Sequence, residues 1–157
     1  MRKLASFVAV ALLCGFAHVP IAGASDNVLV DADSMEVLDA EHRTIFRGNV
    51  VATRPTDKIV GDEMIVTTED QKQSDGTTKT VTKFLDAKGN VTITTATQTI
   101  KGDWAKFYIQ EDRLEVGGNV TVVQGKSTVR GTKLVINLKS NHLQMSGGRV
   151  HGSFIPK

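Results

Sequence analysis

The sequence predicts an all-β protein, built of short strands that stack as repeats into two facing sheets with open ends. Three observations predict this class. The body of the chain is rich in Val and Thr, whose β-branched side chains pack well on a pleated surface. Apolar residues recur with a period of two, and a Gly-Asn-Val motif returns along the chain. With 157 residues, one domain is expected.

The first 24 residues have the pattern of a signal peptide that is cleaved after Ala24. Arg2 and Lys3 give a basic start, an apolar run follows, and residues 22–24 offer a small-x-small cleavage site. The run of 14 residues from position 4 to 17 is shorter than the roughly 20 that a spanning helix needs. A retained membrane anchor is the alternative. Leu13 before Cys14 argues against lipid attachment, which needs a small residue there.

Residues 25–157 are expected to form a single exported domain. They contain no cysteine, so hydrogen bonding and apolar burial must hold the fold without a disulfide. Removing Arg2 and Lys3 leaves 17 basic against 17 acidic side chains, a net charge of zero. This balance argues against nucleic acid as a partner.

The repeat is marked by Gly-Asn-Val at residues 48–50, 89–91 and 118–120. A second glycine follows the first by 13 positions each time, at Gly61, Gly102 and Gly131. Gly89 and Gly118 are 29 residues apart, whereas Gly48 and Gly89 are 41 apart. The polar stretch 69–80 accounts for the excess and is expected to be an inserted loop.

Glycine and asparagine at each corner predict sharp bends, because both tolerate positive φ. Between the corners, alternate residues are apolar and share one face of each sheet. That face is a packed core in the simplest interpretation, since any half-buried sheet alternates in this way. A groove for hydrocarbon is the other interpretation, because the lining is aliphatic and poor in aromatic rings.

The segment GGNVTVVQGKSTVRGTKLVINLKSNHLQMSGGRV, residues 117–150, resembles the repeat of the OstA-like/LptA family of periplasmic lipopolysaccharide-transport proteins. The pattern extends from VLVDADSMEV at residue 28 to the closing GGRVHGSFIPK. The resemblance implies an open, twisted β-jellyroll located in the periplasm, with lipopolysaccharide acyl chains held between its sheets. It implies a carrier and not an enzyme, with no cofactor.

The resemblance assigns the inward apolar set to lipid binding, and sequence alone does not separate lipid contact from packing. Within this set, Phe107 and Met64 are expected to be the movable wall residues, because Met repacks easily. The full set is Met35, Val37, Phe46, Val50, Met64, Val66, Leu85, Val91, Ile93, Phe107, Ile109, Leu114, Val116, Val120, Val122, Leu134, Ile136 and Leu138.

The resemblance also implies partners at the two open ends. These are the homologous β-jellyroll domains of the inner-membrane and outer-membrane transport components, and further copies of the chain joined head to tail. Acidic residues concentrate at one end, within 26–37, and basic ones at the other, within 149–157. Opposite charge favours head-to-tail contact, although both ends being merely solvated is equally open.

The sequence contains no clear pattern of metal-binding residues. Asp31 and Asp33 lack the further acidic ligands of a calcium loop, and His42, His142 and His151 lack metal spacing, so no metal site is expected. Trp104 is expected to pack or to lie at a rim.

Three alternative functions remain open. They are a membrane-anchored member of the same transport system, a structural stacking protein without lipid cargo, and a polysaccharide enzyme. The last would need clustered carboxylates where the outward positions carry mainly Thr and Val.

Overall fold

The computed structural model describes residues 28–155, and the all-β prediction is confirmed there. The predicted signal peptide lies outside these residues. Two short 3₁₀ turns, Asp39–Glu41 and Ile109–Glu111, interrupt the strands. The strands are β1 Leu29–Asp31, β2 Ser34–Leu38, β3 Arg43–Thr53, β4 Asp57–Lys72, β5 Thr78–Thr95, β6 Thr99–Tyr108, β7 Arg113–Gln124, β8 Ser127–Asn137, β9 His142–Ser146 and β10 His151–Ser153.

The strands form one antiparallel sheet in which each long strand pairs with the next along the chain. The order is β1-β3-β4-β5-β6-β7-β8-β10, while β2 also pairs with β3 and β9 with β8. Two short strands therefore lie one after the other along each outer long strand, β1 and β2 along β3 and β9 and β10 along β8. Over the described residues, the sheet ends in two open edges.

Bulges divide this sheet into two halves. Pairing shifts by one residue where β3, β5 and β7 carry their Gly-Asn pairs, and a bulge bends a strand. We call the halves the A half-sheet and the B half-sheet. The A half-sheet comprises β2, β9 and residues 43–47, 63–72, 78–88, 104–108, 113–117 and 133–137; the B half-sheet comprises β1, β10 and residues 50–53, 57–61, 91–95, 99–102, 120–124 and 127–131.

The bend at Gly89-Asn90 shows why these residue types recur. Gly89 has φ +75° and Asn90 has φ +49°, left-handed conformations that cost most L residues about 1–2 kcal/mol. A Cβ at Gly89 would also overlap the Asp62 side chain. The Asn90 amide donates a 2.9 Å hydrogen bond to Asp62. The corner prediction is confirmed, and the aspartate that follows the second glycine supplies the acceptor.

The same arrangement occurs at two other bends. Asn49 donates to Asp33 at 2.9 Å, and Asn119 donates to Asp103 at 3.2 Å. Three equivalent corners therefore lie along the line where the A and B half-sheets meet.

Residues 69–80 form no irregular loop, contrary to expectation. They extend the β4–β5 hairpin, with pairing that continues to Lys72 and Thr78. The turn at its tip is closed by Asp75, whose carboxylate accepts hydrogen bonds from the Thr77 backbone and hydroxyl. Threonine favours the β conformation, and a hairpin that is exposed on both faces needs no apolar residues. The polar composition of this segment is therefore compatible with strands and does not by itself indicate a loop.

The apolar core lies between the two half-sheets. It combines inner-face residues of both, such as Val116 and Leu134 of the A half-sheet and Val91 and Ile100 of the B half-sheet. Trp104 lies on the outer face, where its ring covers the backbone of Gly117 on the neighbouring strand. This is the packing role that the sequence predicts for it.

Candidate functional site

The space between the half-sheets is walled by rows of side chains that run across the strands. Residues paired directly across an antiparallel sheet share a face, so the pairing registers define each row. The A half-sheet supplies two inner rows: Phe46, Met64, Ala87, Ala105, Val116 and Leu134 next to the bend, then Thr44, Val66, Leu85, Phe107, Leu114 and Ile136. The facing row of the B half-sheet is Val30, Ala52, Ile59, Ile93, Ile100 and Val122.

A cavity of about 490 Å³ occupies this space at its β1 end. Val28 and Val30 line it from the B side, while Phe46, Val66 and Leu85 line it from the A side. Its volume falls within the roughly 300–1,000 Å³ range of small-molecule sites. A hollow of about 40 Å³ adjoins the main cavity at the same end, beside Val28 and Ala52. Towards β8 the interior is nearly filled, with a hollow of only about 50 Å³ beside Leu114 and Ile136. The groove is therefore open at one end and packed at the other.

Arg54 and Phe107 form the boundary between the open and packed regions. Both side chains line all three cavities. The Arg54 guanidinium lies over the Phe107 ring, with 5.5 Å from Cζ to the centroid, and so joins the B half-sheet to the A half-sheet. Asp57 holds the edge of the guanidinium with a bidentate ion pair, in which Nε donates to Oδ1 at 2.7 Å. The stacked guanidinium and phenyl ring thus cross the groove at this point, and hollows remain on either side of them.

Most of the predicted inward residues do face the groove. Those that are buried are Val50, Met64, Leu85, Val91, Ile93, Phe107, Leu114, Val116, Val120, Val122, Leu134 and Ile136. Phe46, Val66 and Ile109 are partly buried and line the main cavity.

Three predicted inward residues are exposed. Met35 is 63% exposed and Val37 53%, although their partners Phe46 and Thr44 place them on the inner face. They are exposed because β2 is an edge strand within residues 28–155, where no further strand covers it. Leu138 is 43% exposed, follows the end of β8, and borders the 50 Å³ hollow.

The two expected movable residues occupy different environments. Met64 is completely buried in the core. Phe107 lines all three cavities. The structure therefore gives Phe107, and not Met64, adjoining empty volume into which its ring can turn.

Sequence reasoning missed the polar rim of the groove. Arg54, Thr44 and Thr82 all line the main cavity, but a search for apolar alternation passes over them. Arg54 had a usable signal, since Asp57 follows it across a short turn that contains Pro55 and a pair at this spacing can close such a turn.

The outer face of the A half-sheet carries an aromatic and charged cluster. The rings of Phe84 and Tyr108 meet edge to face at 5.4 Å, and the Lys106 ammonium lies 4.5 Å from the Phe84 centroid. Nearby, the Glu69 carboxylate accepts hydrogen bonds from Lys83, Gln110 and Gln71. These bonds lower the pKa of Glu69 to about 2, and the bond from Lys83 has the largest effect. This network ties the base of the β4–β5 hairpin to the 3₁₀ turn after β6.

The remaining features show little catalytic chemistry. Within residues 28–155, no group of three His, Cys, Asp or Glu side chains could hold a metal ion, and no buried side-chain polar atom lacks a partner. Over the same range, no helix has the length and apolarity needed to cross a membrane. In the sequence Gly125-Lys126-Ser127, the first two residues form the tight turn between β7 and β8, and Ser127 begins β8 rather than a helix, so the phosphate-loop context is missing.

Comparison with known proteins agrees with this architecture. The profile of the family described as LptA/(LptD N-terminal domain) LPS transport protein matches residues 29–142. The fold is similar to that of LptH, the LptA-homologous periplasmic component of the lipopolysaccharide transport device of Pseudomonas aeruginosa. The TM-score is 0.71 at 17% identity, over 83% of this chain and 96% of that one. No curated protein sequence matches the chain significantly. Since the family profile covers most of the chain, this protein belongs to the LptA/(LptD N-terminal domain) LPS transport protein family.

Proposed function

We propose that the chain is a periplasmic carrier that shields the acyl chains of lipopolysaccharide between its A and B half-sheets during transport to the outer membrane. The observation that carries the proposal is the 490 Å³ cavity, which is lined mainly by aliphatic residues and two phenylalanines. A sheet that served only as a core would pack its inner face closely. Here one end of that face is left unfilled, in a family of lipopolysaccharide transport proteins.

The energetics favour a groove that covers acyl chains only in part. Burial of each methylene is worth about 0.8 kcal/mol, so full enclosure of several chains would hold the cargo too firmly to pass on. Similar grooves placed end to end allow transfer at nearly constant free energy. The direction of transport then comes from another component of the system.

The two edges support stacking with homologous domains of the inner-membrane and outer-membrane components, or with further copies of the chain. Exposed apolar residues lie at both edges, with Met35 and Val37 on β2 and Leu143 on β9. The strands β2 and β9 run in opposite directions, because every neighbouring pair between them is antiparallel. A translated copy would therefore bring its β2 antiparallel to β9 and continue the groove.

Charge at the edges contributes less to this contact than the sequence indicates. Glu36 is paired with Arg47 at 2.9 Å, and Asp33 accepts the Asn49 amide. Both carboxylates are thus engaged within the chain. Backbone pairing and apolar contact are the main forces that we assign to the junction.

Site-directed photo-crosslinking tests the carrier function. A photoreactive phenylalanine analogue at Phe107, which borders all three cavities, is expected to crosslink lipopolysaccharide. The same analogue at Thr121, which pairs with Lys101 and Arg130 on the outer face, is the control and is expected to give no lipid adduct. Adducts from Thr121 alone would contradict the groove, and lipid-free protein with no adduct at either site would favour a purely structural stacking role.

A further inference from the structure

The β4–β5 hairpin stands beyond its neighbours at the mouth of the main cavity. Strand β3 pairs with β4 only up to Thr67, and β6 pairs with β5 only up to Phe84. Beyond those positions β4 and β5 pair solely with each other. Thr82 at the base of this extension lines the main cavity, so the hairpin continues the A wall past the apolar region.

The inner face of the wall changes from apolar to polar at this point. Val66 and Leu85 are the last apolar inner pair, and a bulge between Thr67 and Thr68 separates them from the extension. Alternation then places three polar pairs on the inner face: Thr68 with Thr82, Asp70 with Thr80, and Lys72 with Thr78. The Thr80 hydroxyl donates to Asp70 at 2.7 Å, as expected for side chains on one face.

A second hollow of about 320 Å³ lies against this polar face. Its lining includes Thr68, Asp70 and Thr80 of the hairpin, with Asp39 and His42 from the turn before β3. Thr44 lines both this hollow and the main cavity. The mainly apolar cavity and the polar recess thus adjoin at Thr44, which is the arrangement that an amphipathic ligand needs.

We infer that this polar recess is a subsite for the saccharide headgroup of a glycolipid whose acyl chains occupy the main cavity. The inference rests on the proposed function and adds a second, polar contact to it. Hydroxyl and carboxylate groups complement sugar hydroxyls, which both donate and accept hydrogen bonds. The carboxylates of Asp39 and Asp70 would repel a phosphate group in the recess. Arg43 also lines the recess, but its guanidinium is already paired with Glu41 at 3.1 Å.

The test compares two amphiphiles that share one alkyl chain. Dodecyl maltoside carries a sugar and 1-dodecanol carries a single hydroxyl. The maltoside is titrated below micelle formation and the alcohol below its solubility limit. The double variant Asp70→Ala with Thr80→Val removes the polar pair of the recess. We expect it to weaken maltoside binding about thirtyfold, since two hydrogen bonds to the sugar, worth about 2 kcal/mol together, are lost. Dodecanol binding is expected to stay unchanged, which also reports that the cavity is still folded.

The control double variant changes the adjacent pair on the opposite face of the hairpin. Gln71 and Lys79 pair directly across the two strands, and Gln71→Ala with Lys79→Ala is expected to leave both affinities unaltered. Unchanged maltoside binding in the recess variant would overturn the headgroup assignment. So would an equal loss of maltoside binding in the control variant, in which dodecanol binding is retained. Failure of the unmodified protein to bind either amphiphile would contradict the carrier function itself and the subsite with it.

Discussion

At the scale of single residues, the fold depends on a set of three side-chain types that recurs at each bend. Glycine adopts a positive φ, asparagine follows in the left-handed region, and an aspartate on the neighbouring strand accepts the asparagine amide. At the fourth equivalent position Thr132 replaces the aspartate, and it lies against Gly147. Gly148 stands where the other bends have asparagine, so the last bend has no side-chain amide to donate the hydrogen bond that defines the other three.

Replacement of Gly89 by alanine should destabilise the protein more than the same change at Gly76. Both glycines have similar φ angles, +75° and +85°, so both variants carry the backbone cost of about 1–2 kcal/mol. A Cβ at Gly76 meets nothing within 4 Å, whereas at Gly89 it would displace Asp62 and break its bond to Asn90. We expect Gly89→Ala to cost about 1–2 kcal/mol more in urea unfolding. Equal losses would show that the aspartate contact is dispensable.

At the scale of elements, sequence patterns predicted the strands and most of the groove wall. Alternation located residues such as Val66, Leu114 and Ile136, because burial on one face of a strand imposes a period of two. The same rule could not identify the hairpin extension, whose two faces are both polar and therefore show no apolar alternation. Nor could it find Arg54, which lies in a turn and reaches the groove only through its long side chain.

The attachment of the hairpin should weaken in acid through Glu69. Its folded-state pKa of about 2 lies below the ordinary 4.5, chiefly because Lys83 donates to its carboxylate, with 2.8 Å between Nζ and Oε2. A depressed pKa stabilises the folded state above the unfolded pKa, and that contribution is lost as pH falls from 4.5 towards 2. We expect Glu69→Gln to lower hydrogen-exchange protection of the hairpin at neutral pH and to match the unmodified protein near pH 2.

The companion variant for this prediction is Lys83→Met. It removes the largest cause of the shift, so the Glu69 pKa should rise towards 4.5 in an NMR titration. If the difference between the unmodified protein and Glu69→Gln were the same at every pH, the ionised carboxylate would not be what holds the hairpin.

At the scale of the whole molecule, the sheet is an open structure with two incomplete edges. Sequence predicted the open ends from the repeat, but it also counted Met35 and Val37 among the inward residues without indicating that they would be exposed. They share the inner face and yet remain exposed, because β2 ends the sheet on that side. Whether an inner-face residue is covered depends on its distance from the edge, which periodicity does not encode.

A charge at the β2 edge should reduce self-association. Val37→Asp introduces a carboxylate on the inner face of the edge strand, where a neighbouring molecule would have to bury it. Val123→Asp places the same charge on β7, away from both edges, at a residue that is also exposed. Sedimentation velocity over a range of concentrations should show fewer large species only for Val37→Asp. An equal reduction by both variants would indicate a general effect of charge.

The number of strands limits how a chain of this kind can change its length. Within the described residues each half-sheet contains eight strands, an even number, and this parity makes the first and last edges run in opposite directions. The repeat from Gly89 to Gly118 adds 29 residues and two strands. Insertion or deletion of such a unit preserves the directions of both edges. A gain of one strand would reverse one edge, so that successive copies would meet in parallel and lose their common register.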